Sequence, residues 1–370
     1  MSDKKAAKGE DKVLVWIDCE MTGLDYDRDT ILEVACAVTD GSLTTLSTSK
    51  RFVVHHPRHV LDAMGEWCTE HHGKSGLTEE VLQSQWTMAQ VETELLYLVK
   101  SFSPKPRTAL LAGNSVHADR EFLRRHMPDL INHLHYRIID VSTIKELALS
   151  WNPDIMQRAP TKNLAHRAHD DILESIEELR FYRDNFFLTS ESEAAPLAKH
   201  RLVAARPPPP LVWIDVETTG LVAEKDIILE VAMLVTDGEL NELSPAQSLV
   251  IGYPPDTVQS KLNAWSLKSH TKSGLLGDVA QSQLTLEMAE KILLAGVVEH
   301  CPKANRAILA GNNVGFDRKF IEQHMPVLAG HLHFRNLDVS SVNELAKRWA
   351  PVNVLAAHKK TFSHRAIDDI

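Results

Sequence analysis

The chain repeats itself over most of its length. Five segments of the first half recur, with few changes and in the same order, in the second half. The copies are 197 residues apart at Leu14 and Leu211, and 198 apart from Trp67 and Trp265 onward, so one indel separates them. Solenoid units are far shorter, at about 20–45 residues, so the repeat is a duplicated domain. The paired segments begin at 14 and 211, 29 and 226, 111 and 309, 133 and 331, and 166 and 364.

The repeat predicts two domains with a linker between them. Residues 13–187 and 211–370 would form the domains, after a polar N-terminal tail over 1–12. Residues 188–210 are polar, then rich in alanine, and end in Pro207–Pro210. Four consecutive prolines favour a semi-rigid polyproline linker.

Each repeat has the pattern of an α/β domain. In the first, strands are predicted over 13–17, 31–38, up to about Val54, 108–113 and 136–140, and helices near 78–101 and 118–126. Amphipathic helices are also predicted at STIKELALSW and AHDDILESIEELRFYRDNFF. Three strands in a meander, followed by strands alternating with helices, predict a mixed five-stranded sheet flanked by helices.

The charge limits the choice of partner. The formal net charge is −10, whereas a protein that grips long nucleic acid usually has a basic excess. The substrate is therefore either not a nucleic acid, or only a few nucleotides held with the help of metal ions. The N-terminus is polar, no long apolar run occurs, and the four cysteines form no C-x-x-C pair. These features predict a cytoplasmic protein without a membrane segment, and they leave an organelle as the alternative.

Acidic residues follow the predicted strands at positions suited to metal binding. Asp18 and Glu20 are two apart after the apolar run LVWI, so both carboxylates share one face of a strand. Asp119 begins a helix after a buried strand, where an aspartate could equally complement the helix dipole. His166 precedes Asp170 and Asp171, which could be solvated residues or a general base beside a metal ligand.

The combination of these acidic residues with the histidine is a more specific signal than any one of them alone. Four carboxylates in one core repel each other unless cations compensate. Oxygen ligands without a cysteine cluster favour Mg²⁺ or Mn²⁺ over zinc. Two such ions in one site suit phosphodiester hydrolysis.

Together, D-x-E, G-N-S-x-x-x-D-R and H-R-A-x-D-D resemble the DEDDh exonucleases, and WID-x-EMTGL, LHYR and DVST-x-KEL resemble the oligoribonuclease subfamily. The resemblance implies two tandem RNase H-like exonuclease domains acting 3′→5′ on very short RNA. It implies that Asp18, Glu20, Asp119 and Asp171 hold two Mg²⁺ or Mn²⁺ ions, and that His166 deprotonates the attacking water. Asp171 is preferred to Asp170 because the family's ligand lies five residues after the histidine.

The same resemblance implies roles in substrate binding. Leu24 matches a leucine that wedges between two bases, and Ser115, Arg137 and Ser142 match groups that cap the 5′-side phosphate. Family members are homodimers in which the neighbouring subunit supplies the histidine and tyrosine of LHYR, here His135 and Tyr136. We therefore expect either a homodimer or an intramolecular pseudo-dimer, with His333 and Phe334 completing the first site.

The second repeat keeps the predicted catalytic set but changes its surroundings. Asn313 replaces the serine of the phosphate cap, Phe334 replaces tyrosine, and the sequence ends soon after the HRAIDDI motif. We expect a weak or inactive second site unless the missing part of the helix is supplied elsewhere, because a short motif helix frays. The corresponding residues are Asp215, Glu217, Asp317 and Asp369 for metal, His364 as the base, and Leu221, His333, Arg335 and Ser340 for substrate.

Two other functions fit part of the sequence. A DEDDh exonuclease acting on DNA would share the carboxylates, but the LHYR and DVST segments argue against it. A non-catalytic scaffold would have no reason to keep eight clustered carboxylates. Trp67 and Trp265 occupy matching positions, where core packing is favoured over a role in the base pocket.

Overall fold

A computed structural model describes residues 13–160, 167–185, 187, 208–351, 354 and 364–370. Within them each repeat forms one five-stranded sheet. The strands of the first repeat are β1 (Leu14–Met21), β2 (Ile31–Thr39), β3 (Thr45–Val53), β4 (Leu110–Gly113) and β5 (Ile138–Asp140). Those of the second are β6 (Leu211–Thr218), β7 (Ile228–Thr236), β8 (Gln247–Val250), β9 (Ile308–Gly311) and β10 (Asn336–Asp338).

Both sheets are mixed. The strand order is β3-β2-β1-β4-β5 in the first and β10-β9-β6-β7-β8 in the second. The first three strands of each repeat pair antiparallel, and the last two run parallel to the first. The predicted α/β fold with mixed five-stranded sheets is therefore confirmed.

Helices flank the sheets. In the first repeat they are α1 (Arg58–Asp62), α2 (Glu66–Lys74), α3 (Leu77–Gln83), α4 (Met88–Phe102), α5 (His117–His126), α6 (Pro128–His133), α7 (Val141–Trp151), α8 (Pro153–Gln157) and α9 (Ala168–Asn185). In the second they are α10 (Pro255–Lys261), α11 (Ala264–Lys272), α12 (Leu275–Gln281), α13 (Leu286–His300), α14 (Gly315–His324), α15 (Pro326–His331), α16 (Val339–Trp349) and α17 (Ala366–Asp369).

The central strands carry the core. All nine residues of β2 are buried, because helices cover one face of the strand and the motif helix α9 packs on the other. On the first face Val15 and Val34 pack against Leu95 of α4 and Phe122 of α5. A matching cluster fills the second sheet, from Val212 and Val231 to Leu293 and Phe320. No helix in the described parts of the chain is both long and apolar enough to cross a bilayer.

The single helix predicted over 78–101 is wrong, because two helices, α3 and α4, occupy this region. Ser84 ends the first by donating its hydroxyl to Val53 O at 2.5 Å. Thr87 begins the second, in a reciprocal capping box with Gln90. Tertiary and capping hydrogen bonds therefore override a helical pattern that runs through both segments.

The described residues cluster into two compact units that do not coincide with the two repeats. Unit 1 draws on Met1–Val141, Arg158–Ala195 and Asn343–Val354, and unit 2 on Ser142–Gln157, Pro196–Val342 and Leu355–Ile370. Each unit therefore contains one segment that belongs, by sequence, to the other repeat. The predicted tail and most of the predicted linker lie outside the described residues.

The exchanged segments are anchored by matching tryptophans. In unit 1, Trp349 donates its indole N–H to Gly41 O at 2.9 Å, and Phe187 meets the ring edge to face. In unit 2, Trp151 donates in the same way to Gly238 O at 2.8 Å. Gly41 and Gly238 lie in the turn after the second strand of each repeat. The two exchanged segments are therefore anchored at equivalent positions.

Candidate active site

Three carboxylates meet at the end of the first strand in unit 1. Asp18 and Glu20 of β1 and Asp171 of α9 each place an oxygen within 4.8 Å of the others. Asp119 lies against the same strand, because its Oδ1 accepts the backbone N–H of Cys19 at 3.0 Å. The structure thus brings together all four metal ligands predicted for the first repeat, whereas Asp170 is exposed.

The second repeat builds the same cluster in unit 2. Asp215 and Glu217 of β6 and Asp369 of α17 lie within the same 4.8 Å limit. Asp317 accepts the backbone N–H of Val216 at 3.0 Å. The carboxylate geometry of the two copies is therefore closely alike.

Burial makes these carboxylates hard to ionise without a cation. Burial, together with the charges of Asp171 and Glu33, raises the pKa of Glu20 to about 8. Burial and Asp215 likewise raise the pKa of Glu217 to about 8. Burial also raises the pKa of Asp119 to about 7. A bound divalent cation would favour the charged forms, and its preference for oxygen ligands matches this donor set.

A buried ion pair fixes the motif helix of unit 1. Glu33, fully buried in the middle of β2, accepts the N–H of Ala168 at 3.1 Å. The same carboxylate lies 2.6 Å from Arg51 and 3.4 Å from Arg167. These contacts hold the start of α9, and with it Asp171, against the strand that carries Asp18 and Glu20.

Unit 2 repeats this anchor. Glu230 accepts the N–H of Ala366 at 3.2 Å and pairs with Arg365 at 2.9 Å. Sequence reasoning missed Glu33 and Glu230 as functional residues. A signal was present, since each is an acidic residue inside an otherwise apolar strand, ILEVACAV or ILEVAMLV, matched by the arginine of H-R-A.

Comparison with known proteins agrees with this geometry. An exonuclease family model, RNase T, matches residues 15–179 and again 212–370. A Mus musculus protein named "Oligoribonuclease, mitochondrial" is 52% identical over 180 residues, covering 49% of this chain and 76% of that protein. A Pseudomonas aeruginosa "Oligoribonuclease" is 49% identical over 173 residues, covering 47% of this chain and 95% of that protein.

The chain belongs to the oligoribonuclease branch of the RNase T exonucleases. It is a nuclease with two copies of the exonuclease domain, as the tandem repeat predicts.

The candidate general bases of the two exonuclease domains are His166 and His364. His166 lies outside the described residues, although Arg167 and Ala168 next to it are held by Glu33. His364 has a left-handed backbone, with φ of 56°. Its ring meets Trp265 edge to face, with centroids 5.4 Å apart.

A buried histidine lies behind the glutamate of each oligoribonuclease-like site. The Nε2–H of His72 donates to Met21 O at 2.9 Å, and its Nδ1 lies 3.9 Å from Glu20 Oε2. His270 makes the same contacts with Thr218 O at 2.9 Å and Glu217 at 3.8 Å. Sequence reasoning missed this histidine, although its recurrence at the matching position of the second repeat is a signal that could have identified it.

The predicted wedge leucine stands on a rigid turn. Leu24 is 77% exposed. The carboxylate of Asp29 accepts the Thr22 hydroxyl at 2.7 Å and the Asp25 N–H at 2.8 Å, closing the turn on both sides of the leucine. Gly23 is required because a Cβ would collide with that carboxylate. Leu221 is 76% exposed on an equivalent turn, which Asp226 closes by accepting the Thr219 hydroxyl and the Val222 N–H.

The residue at the predicted phosphate cap has a strained backbone in both repeats. Ser115 has φ of 52°, and its N–H donates to the buried Asp140 at 2.9 Å. Asn313, its counterpart, has φ of 61° and donates to Asp338 at 2.8 Å. Asparagine adopts this left-handed region more readily than serine. The first repeat therefore keeps the less favourable residue at this turn.

The other predicted substrate-binding residues lie around the fifth strand of each repeat. His135 and Tyr136 stack at 4.6 Å, and His333 and Phe334 at 4.5 Å. Ser142 and Ser340 are buried, and Ser340 donates its hydroxyl to Asp338 at 2.8 Å. Arg137 and Arg335 are each engaged by a buried glutamate.

The prediction that Trp67 and Trp265 are core residues is wrong. Their side chains are 54% and 59% exposed. Trp67 stacks on His71 at 3.9 Å, and Trp265 contacts His364. Both lie on the surface helices α2 and α11, which the strand and helix patterns did not predict.

Proposed function

We propose that this protein is a 3′→5′ exoribonuclease that hydrolyses very short RNA to 5′-mononucleotides. The observation that carries the proposal is the cluster of Asp18, Glu20 and Asp171 in unit 1, with Asp119 against the same strand and Glu33 holding the start of the motif helix. Relatives named oligoribonuclease, about 50% identical over this region, support the substrate class.

The carboxylates would hold two Mg²⁺ or Mn²⁺ ions in each site. Bound ions of this kind supply Lewis-acid stabilisation of the negative charge that develops on the phosphodiester and make water easier to deprotonate. The ligands would be Asp18, Glu20, Asp119 and Asp171 in the first site, and Asp215, Glu217, Asp317 and Asp369 in the second.

The protein's own groups would position the substrate and move the proton. His166, or His364 in the second site, would take the proton of the attacking water. The water oxygen bonds to phosphorus, the 3′ oxygen of the preceding nucleotide leaves, and a 5′-mononucleotide is released. Leu24 would separate the last two bases, while Ser115, Arg137 and Ser142 close off the 5′-side phosphate.

A closed cap would explain both the short substrate and the acidic protein. A longer chain would collide with the cap, so no extended basic groove is needed. This accounts for a net charge of −10 in an RNA-acting enzyme. We propose that the single chain acts as an intramolecular pseudo-dimer, in the cytoplasm or, given the relatives named mitochondrial, in that organelle.

The test compares a 5′-phosphorylated diadenylate (pApA), a 20-nucleotide RNA and the DNA dinucleotide, with Mg²⁺, with Mn²⁺ and with EDTA. We expect metal-dependent release of AMP, fastest from pApA by at least tenfold. Faster cleavage of DNA or of the 20-mer, or activity in EDTA, would overturn the proposal. The double variant Asp119→Asn/Asp317→Asn controls for contaminating nuclease, and mass photometry should give the single-chain mass of 41.4 kDa.

A further inference from the structure

Arg137 of unit 1 is held by a residue from the other repeat. Its Nη1 donates to Glu344 Oε1 at 2.9 Å, although the two residues are 207 positions apart. Glu344 belongs to the segment Asn343–Val354, which is part of unit 1. The carboxylate is 2% exposed and the arginine side chain 25%. A buried carboxylate thus meets an arginine that still reaches solvent.

The arginine is fixed on a second side by an aromatic ring. Its guanidinium carbon lies 5.4 Å from the centroid of the Tyr136 ring. Its Nε is buried and has no hydrogen-bond partner among the described residues. A guanidinium with one edge on a carboxylate and one face on a ring is pre-organised, so little side-chain freedom remains to be lost when an anion binds.

The carboxylate does not cancel the positive charge around it. Lys347 and Arg348 also pair with Glu344, at 2.9 Å and 3.4 Å. Three cationic side chains therefore share this one carboxylate. The glutamate therefore orients Arg137 while the surroundings continue to attract a phosphate.

Unit 2 contains the equivalent arginine–glutamate pair without the two additional cations. Arg335 pairs with Glu146 at 2.8 Å and lies over Phe334 at 5.5 Å, so the pair itself is repeated. Leu149 and Ser150 stand at the positions of Lys347 and Arg348. Within the described residues, Glu146 has no other ion-pair partner. Among the described residues, the glutamate is shared with two further cations at Glu344 and not at Glu146.

We infer that Glu344 is a positioning residue for Arg137, through which the second repeat helps the first to recognise the 5′ phosphate of its substrate. The inference rests on the proposed function, which places Arg137 in the phosphate cap. It assigns the second repeat a part in substrate recognition that is independent of whether its own site is active.

The experiment uses the full chain with Mn²⁺ and measures kcat and KM for pApA and for ApA, which lacks the 5′ phosphate. We expect Glu344→Gln to lower the pApA-to-ApA ratio of kcat/KM about tenfold, through the KM for pApA. The shorter Glu344→Asp should give an intermediate ratio. The matched variant Glu146→Gln should change the ratio less than twofold.

Arg137→Gln provides the second half of a double-variant cycle. If Glu344 acts through Arg137, adding Glu344→Gln to Arg137→Gln should not lower the ratio further. An unchanged ratio in both Glu344 variants, or equal losses on pApA and ApA, would overturn the inference while leaving the exoribonuclease proposal intact. Failure of the unmodified protein to release AMP from pApA would instead overturn the proposed function.

Discussion

The two sites share their carboxylates and their glutamate anchor but differ in the residues around them. In unit 1 the motif helix α9 reaches a neighbouring loop, where Asn114 donates to Ser175 at 2.8 Å and to Glu178 at 3.1 Å. Asn312, the counterpart of Asn114, is exposed, and Trp213 is partly exposed where Trp16 is fully buried. Asn313 and Phe334 also stand where the first repeat has Ser115 and Tyr136. Two sites with the same carboxylates therefore need not be equally active.

The largest expected effect comes from removing one ligand at a time. Asp119→Ala should lower kcat/KM on pApA about 10³-fold, equivalent to about 4 kcal/mol of transition-state stabilisation. Asp317→Ala should lower it by no more than about threefold, because Asn313 and Phe334 replace the serine and tyrosine of the first site. Initial rates of AMP release measure both. Equal losses would show that the two sites work alike, and exposed Asp170→Ala is the control.

An intermediate effect concerns stability without metal. Glu20 and Glu217 have a folded-state pKa of about 8, against an ordinary value of 4.5, so folding favours their protonated forms. Their contribution to stability is full below about pH 4.5 and is lost as the pH rises through about 8. EDTA-treated protein should therefore melt at a lower temperature at pH 8.5 than at pH 6.

Added Mn²⁺ should reverse this trend, since it stabilises the ionised carboxylates. Glu20→Gln and Glu217→Gln should each weaken the pH dependence of the melting temperature of the metal-free protein. A difference between the two variants would show which glutamate contributes more to that pH dependence. A melting temperature that rises with pH in EDTA would contradict the electrostatic account.

The smallest expected effect is at the strained turn. Ser115→Asn installs the residue that the second repeat has at a φ near 60°. It should stabilise unit 1 by about 1 kcal/mol or less, or about 2–4 °C in melting temperature for a domain of this size. The KM for pApA should rise, because the serine hydroxyl is lost from the cap. Asn313→Ser is the reciprocal variant, and a gain in stability from it would contradict the argument.

The local sequence pattern predicted much of the fold and part of the candidate site. Strand periodicity gave the five strands of each repeat, and it put Asp18 and Glu20 on one face, where Asp171 joins them. It could not find the pairing of Glu33 with Ala168, 135 residues away, or of Arg137 with Glu344, 207 away. Such contacts depend on tertiary packing and have no periodic signature. The exposed tryptophans were missed for a related reason, since size and apolarity favour burial unless a surface needs the ring.

The exchange of segments has a consequence for how the protein is made. A ribosome that has finished the N-terminal part of unit 1, at Ala195, must add 148 more residues before Asn343 emerges to complete it. At about 5–20 residues per second this delay is roughly 7–30 s. During that interval the place where Trp349 will dock is uncovered, an opportunity for chaperone binding or premature association. Loss of either repeat by recombination would also remove a segment from the other, so the duplicated gene is expected to persist or decay as a whole.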